Sequence, residues 1–368
     1  SFGLSEAPWT LPQDAVDAGK LSEKCVNDSN AHVRIIKNKV NATVKLLSDN
    51  GMGIGAAEGS KDVLLALVGG CVAIPFYYYP FAQSFVNGEV NDNIPMDLMY
   101  GTTGDDEFVL GLSVGRLVSR DLSDSLEVVG REINYAKLIE QSYGSLSSVG
   151  AWKDTATVYA GNLLLESNWP IVFLTVQMEL QNTGGFTAYG NYGPTANDPI
   201  LSTQIESSNF VFFNVHGSPE GIVSAGAIEP TGAISQSGIR VAEYNLGPGV
   251  CFASSCLTSR IDDIDINASF ALSWLHAGYV AYMGATRSSV GSTAPSYGPL
   301  DMGGSNAICA MTMMNMLNGN LPMGIAMKNA KNAYAEQYGA TGTHEYTLKE
   351  FVLYGDPAFN PYEPCNNG

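Results

Sequence analysis

The chain has 368 residues, 45% of them hydrophobic and 15% charged, which supplies apolar material for a sizeable core and argues against a disordered chain. Eighteen basic against 36 acidic residues give a formal charge of −18, which repels phosphate backbones and argues against a nucleic-acid partner. The longest apolar stretch, residues 62–80, is broken by Gly69-Gly70 and Pro75, short of the 18 or so residues of a membrane span, so no transmembrane segment is expected.

Residues 1–60 read as an N-terminal segment, a pro-region or an extension, with one helix from His32 to Leu47 whose apolar residues recur at three- and four-residue steps. The run from Asp62 to Tyr79 predicts a central strand and then a loop rich in aromatics, and Phe108 to Val114 predicts a second strand. A long helix over Leu122–Tyr143 is expected to face Leu126, Val129, Ile133, Leu138 and Ile139 inward. Together, residues 61–148 form a first α/β subdomain, closed by the Gly- and Ser-rich stretch Gly144–Gly150. Residues 149–368 form a second one. Its expected strands are Thr155–Ala160, Phe210–Val215, Gly249–Ala253 and Gly278–Gly284, with helices at Ala268–His276 and Ile308–Leu317 and a loop-rich insertion over Asn182–Pro199. Met311, Met313, Met314 and Met316 read as adaptable core.

Two of the strands end on reactive side chains. Phe210–Val215 closes on His216-Gly217-Ser218, and Val250–Ser255 closes on Cys256. Ligands of open α/β sheets bind outside the C-terminal strand ends, so two parallel strands would bring His216 and Cys256 together across 40 positions (256 − 216 = 40). A thiol attacks as thiolate, and a nearby imidazole can take its proton, so this pair predicts a cysteine-histidine hydrolase. Cys251, inside the apolar run, is the rival and reads as an inert buried thiol. His32, His276 and His344 read as structural. The six cysteines contain no Cys-x-x-Cys pair, and only Cys25 and Cys365, in polar segments near the two ends, suggest a terminal disulfide. The glycines from Gly51 to Gly55 lack the Lys-Ser/Thr of a P-loop, and the sequence around Ser235 is no nucleophile elbow.

The His216-Gly217-Ser218 and Ala253–Cys256 blocks resemble those of the gingipain family of cysteine peptidases, relatives of caspases and legumain. Further blocks agree in order: Asp97–Tyr100, Gly104-Asp105-Asp106, Val114-Gly115-Arg116, Glu132–Tyr135, Val280–Ser289 and Leu353–Pro357. The resemblance spans residues of roughly 60 to 360. It implies a three-layer α/β/α caspase-like sandwich with a mostly parallel sheet and two tandem subdomains. It also implies that the Gly217 N–H joins that of Cys256 in an oxyanion hole. Better-known members orient the histidine with a Glu after the strand that opens the second half; here Asn162 stands there, with Glu166 as the alternative and a plain dyad as a third arrangement.

Substrate would be met by Asp262, Asp263, Arg287 and Ser288. The Asp262, Asp263 and Asp265 cluster could select a basic P1 side chain, ligate calcium, or be solvated loop charge, whereas Arg287 would favour an acidic group; basic P1 is the reading taken. The chemistry requires no cofactor, and a structural Ca²⁺ is suggested at Asp105 and Asp106. The expected activity is that of an exported cysteine endopeptidase, secreted or at the cell surface, acting on proteins or peptides. A start at Ser1 and three Asn-x-Ser/Thr triplets, at Asn27, Asn41 and Asn267, accompany that expectation, as does synthesis as a zymogen. The alternatives are a sortase-like transpeptidase of a secretion system and a catalytically silent surface module, the latter opposed by the intact His216 and Cys256.

Overall fold

In the computed structural model, which describes residues 23–52, 62–80, 93–103, 108–140, 152–160, 169–192, 205–223, 234–237, 241–291 and 303–362, a long helix α1 (Glu23–Asp49) leads into β1 (Val63–Val68). There follow β2 (Tyr77–Tyr79), β3 (Ile94–Met96), the single turn α2 (Leu98–Gly101), β4 (Leu112–Leu117) and α3 (Leu122–Glu140). Next come β5 (Thr155–Ala160), α4 (Trp169–Asn182), β6 (Thr187–Tyr192), β7 (Phe210–Asn214) and the short β8 (His216–Ser218), β9 (Gly221–Val223) and β10 (Ile234–Ser237). The chain continues through β11 (Val250–Ala253), α5 (Phe270–Ala277), β12 (Ala281–Ala285), α6 (Gly304–Gly319), α7 (Met323–Tyr338), α8 (Gly342–Glu350) and β13 (Phe351–Tyr354).

The main sheet has eight strands in the order β1-β4-β13-β12-β11-β7-β5-β6. Every neighbouring pair runs parallel except β12 with β13, so the sheet reverses direction once. The chain is therefore an α/β protein with helices on both faces of a mostly parallel sheet, as expected. Strand alternation divides the core: Phe210, Phe212, Phe252 and Met283 pack on the side of α4, α6 and α7, while Val211, Phe213, Cys251 and Tyr282 pack on the side of α5. Met311, Met313 and Met316 are buried, in keeping with their reading as core.

Three expectations are corrected. The 62–79 run is not a central strand: β1 is the sheet's edge, and Leu64 and Val68 are exposed, so an apolar composition did not mean two buried faces. Helix α3 does not turn Leu126, Val129 and Ile133 inward; they are exposed, and the buried stripe is Asp124, Val128, Tyr135 and Ile139. Polar anchors select that stripe: Asp124 Oδ1 lies 2.8 Å from His276 Nδ1, Arg131 Nη1 donates to the Leu275 carbonyl at 2.9 Å, and the Tyr135 hydroxyl donates to the Pro361 carbonyl at 2.9 Å. The 182–199 insertion contains an edge strand, β6. The stretch Gly144–Gly150 and Cys365 lie outside the described residues, and Cys25 is buried on α1.

Several family-like blocks acquire a physical role in this frame. Arg116 is fully buried, its Nε and Nη2 donating to the two Asp97 oxygens at 2.9 and 2.5 Å, and its carbonyl accepting from Gly355 N at 2.9 Å. Gly355 adopts φ +140°, and a Cβ there would come within 2.9 Å of the Val280 carbonyl, so glycine is required where β13 turns off the sheet.

Candidate active site

β7 and β11 are parallel neighbours with Phe213 opposite Ala253, so the segments leaving their C-terminal ends start side by side. After β7 the chain enters the β8–β9 hairpin, which places His216 at its start, exposed to solvent. After β11 it enters a tight turn carrying Cys256, whose next residue, Leu257, holds a left-handed φ of 62°, a conformation that costs a side-chain-bearing residue roughly 1–2 kcal/mol. Gly217 joins the two segments. A Cβ at Gly217 would lie 2.5 Å from the Cys256 carbonyl oxygen and 2.9 Å from Ser255 Cβ, so the hairpin backbone rests directly on the Cys256 turn. The backbone here needs glycine for proximity, since Gly217 has no left-handed φ.

Among the described cysteines, Cys256 alone is partly exposed; Cys25, Cys71, Cys251 and Cys309 are buried. Burial, followed by the neighbouring Cys309, pushes the Cys251 thiol well above its ordinary range, which makes it a poor nucleophile. The Cys256 sulfur accepts a hydrogen bond from Ser289 N at 3.3 Å and lies 3.5 Å from the Ser289 carbonyl and 3.7 Å from Ser289 Oγ. The turn is laced to the segment after β12: Leu257 N donates to the Arg287 carbonyl at 3.0 Å and Ser259 N to the Ala285 carbonyl at 2.9 Å.

The expected substrate-facing charges are occupied elsewhere. Arg287 Nη1 and Nη2 donate to the two oxygens of Asp262 at 3.0 and 2.7 Å, with both side chains almost fully buried. Burial works to raise the Asp262 carboxyl, but Arg287 outweighs it and holds the group below the usual carboxylate range. Asp263 is engaged by Arg260 Nη2 at 3.2 Å. This arrangement corrects the picture in which Asp262 or Arg287 presents charge to a P1 side chain: each neutralises the other inside the protein. Ser288 lies between Arg287 and Ser289 and is half-buried. Asn162, Glu166, Asp105 and Asp106 lie outside the described residues. Among the described residues no group of three or more His, Cys, Asp or Glu side chains is arranged to hold a metal ion.

Sequence reasoning missed Ser289 and Glu350. Glu350, the last residue of α8, is fully buried, and neither carboxyl oxygen has a hydrogen-bond partner. Burial, then the nearby Cys256, push its carboxyl well above the ordinary range, against the opposing pull of Lys331. Its place three residues before the Leu353–Pro357 block is the only signal of it in the sequence.

Residues 44–362 match the model of peptidase family C25. The chain belongs to that family. It is a cysteine peptidase, and the gingipain resemblance read from its motifs holds. The C25 fold recurs in solved structures of low identity. The crystal structure of the Arg-specific cysteine proteinase gingipain R (RgpB) superposes with a TM-score of 0.59 at 16% identity, over 92% of this chain and 68% of that one. The complex of the pro- and mature domains of RgpB from Porphyromonas gingivalis gives 0.57 at 16% identity, over 92% of this chain and 70% of that one. A structure described as that of a protease gives 0.61 at 15%, over 89% of this chain and 69% of that one. No protein of curated function matches the sequence.

Proposed function

We propose that this C25 peptidase is an exported endopeptidase in which Cys256 is the nucleophile and His216 the acid-base partner. The observation that carries this reading is the contact of Gly217 with the Cys256 turn, which seats the residue next to His216 on the one partly exposed thiol among the described cysteines. His216 takes the Cys256 proton, and the thiolate attacks the scissile carbonyl. The developing oxyanion is met by the backbone N–H groups of Gly217 and Cys256. His216 then gives its proton to the departing amine, leaving a thioester on Cys256, and activates water to release the acid and restore the thiol. No step requires a metal or organic cofactor.

The net charge of −18 supports basic P1 substrates through long-range attraction, in place of a local role for Asp262 and Asp263. Export is part of the same reading. Among the described residues no helix is long and apolar enough to cross a membrane. The test is mass spectrometry after incubation with peptidyl acyloxymethylketones bearing Arg, Lys, Asp, Asn or Leu at P1. An adduct on Cys256, fastest with Arg or Lys and absent in His216→Ala, is expected; an adduct on another cysteine or indifference to His216 overturns the assignment. Adding an amine acceptor to a peptide digest separates hydrolysis from transpeptidation by the mass of the product.

A further inference from the structure

The segment Thr286–Ser289 is tied to several elements by hydrogen bonds from Thr286 and Arg287, and its last residue, Ser289, meets the Cys256 sulfur. Thr286 N and Oγ1 both donate to the Glu350 carbonyl, at 2.9 and 3.1 Å, and Thr286 Oγ1 also lies 2.9 Å from the Pro95 carbonyl. The Arg287 guanidinium forks onto Asp262, and its Nε donates to the Asn93 carbonyl at 3.1 Å. The Arg287 carbonyl receives the N–H of Leu257, the residue after the nucleophile. Two positions further on, Ser289 N points at Cys256 Sγ.

We propose that the buried Asp262–Arg287 pair is a positioning device that holds the Ser289 backbone N–H against Cys256 Sγ and so stabilises the thiolate. The proposal rests on Cys256 being the nucleophile. The neutral thiol has three partners on Ser289: the carbonyl, to which its S–H can donate at 3.5 Å, the N–H, from which it accepts at 3.3 Å, and the hydroxyl, which donates to it at 3.7 Å. Ionisation removes the S–H donation and turns the N–H contact into a charge-assisted bond, so holding the N–H in place favours the anion. A rigid, two-point Arg–carboxylate fork suits this task better than a lysine, whose single point charge leaves orientation loose. Because the pair is neutral overall and buried, it fixes geometry while adding little net field at the sulfur.

The test is the pH dependence of Cys256 alkylation by iodoacetamide, read by mass spectrometry on Asp262→Asn and Arg287→Lys, with kcat and KM measured on a peptide substrate. Each variant is expected to move the alkylation midpoint up by about one pH unit, a tenfold slower reaction at neutral pH, and to lower kcat with KM nearly unchanged. Should either variant fail to fold, Ser289→Pro, which deletes the N–H together with the hydroxyl and leaves the ion-pair residues in place, is expected to give at least the same upward shift. Ser289→Ala, which keeps the N–H and removes only the longer hydroxyl contact, is expected to give a smaller upward shift than Ser289→Pro, and equal shifts in the two would overturn the proposal. In a double variant, Asp262→Asn should add nothing to Ser289→Pro. A wild-type midpoint in Ser289→Pro, or in folded Asp262→Asn and Arg287→Lys, overturns the proposal. If Cys256→Ala retains peptidase activity, the nucleophile assignment itself is wrong, which separates the two failures.

Discussion

Replacing Gly217 by Ala tests the contact on which the active-site reading depends. The added Cβ would stand 2.5 Å from the Cys256 carbonyl oxygen and 2.7 Å from Thr258 Cγ2, whereas ordinary contacts begin near 3.4 Å, so about 0.9 Å must be found between two backbones. The nearest obstacle is main chain, which cannot rotate away as a flexible side chain would. Overpacking of this kind costs about 1–3 kcal/mol of stability. The kinetic effect is larger. A misplacement of about 1 Å lowers rates roughly 100-fold, and loss of one oxyanion donor lowers kcat about 100- to 1,000-fold, or about 2.7–4 kcal/mol. An oxyanion donor acts in the transition state, so the loss should fall on kcat with KM little changed. The assay is initial rates over substrate concentration on folded protein, with iodoacetamide labelling of Cys256 as a check that the thiol is still presented. A Gly217→Ala enzyme with wild-type kcat would refute the argument, as would a loss carried wholly by KM.

Gly130 is the matched control: it lies inside α3 with nothing within 4 Å of a Cβ, so Gly130→Ala should raise stability by about 0.5–1 kcal/mol in thermal or urea melts without changing kcat. Cys251→Ala should leave iodoacetamide labelling of Cys256 intact, and Cys256→Ala should leave no fast labelling at Cys25, Cys71, Cys251 or Cys309; fast labelling at any of these four, located by mass spectrometry, would contradict the exposure argument. Burial, then Asp356, raise Glu132 from 4.5 to about 7. Between pH 4.5 and 7 the native state therefore holds a proton that the unfolded chain has released, and stability falls as pH rises through that window. Moving from 4.5 to about 7 has a ceiling of about 3.4 kcal/mol, which solvent contact reduces to roughly 1–2 kcal/mol. Glu132→Gln should match the wild type at pH 4 and exceed it at pH 7.5, and parallel curves of melting temperature against pH would count against this.

Local signals are legible where local physics decides. Runs of β-branched and aromatic residues locate β5, β7 and β11 to within a residue or two, because strands buried on both faces permit almost nothing else. The strand ends follow from the same runs, which is why the amino-acid sequence alone pairs His216 with Cys256. Helix α3 is harder: Leu126-Val129-Ile133 and Val128-Tyr135-Ile139 are both stripes at helical spacing, and the choice between them depends on contacts to Leu275, His276 and Pro361 far along the chain. The ion pair of Asp262 with Arg287 is illegible for a related reason. A carboxylate near a reactive cysteine reads as a substrate contact until its partner is known, and the partner arrives 25 positions later from a different strand. The shortest contact of Ser289 to the sulfur is made by its backbone N–H, which side-chain identity does not encode.

Glu350 shows what the reversal between β12 and β13 does to the site. Because β13 runs against β12, its first residue lies at the edge where β7, β11 and β12 end, and α8 delivers Glu350 there, 94 positions after Cys256 (350 − 256 = 94). A buried carboxyl with neither oxygen hydrogen-bonded is costly as an anion, and burial, then the nearby Cys256, push it well above the ordinary carboxylate range, although Lys331 opposes this. Lys331 is itself desolvated to about 7 with its Nζ on the Phe351 carbonyl at 2.7 Å, so it offers only a partial countercharge at neutral pH. The raised carboxyl gives up stability as pH climbs from 4.5, since the unfolded chain ionises first. Glu350→Gln, an uncharged mimic of the protonated acid, should therefore fold as well as the wild type at pH 4, be more stable at pH 7, and keep kcat within a few-fold. Melting curves at the two pH values decide it. A Glu350→Gln protein less stable at pH 7 would mean that the carboxylate is ionised and held by a partner, and the picture of a neutral acid beneath the thiol would have to be abandoned.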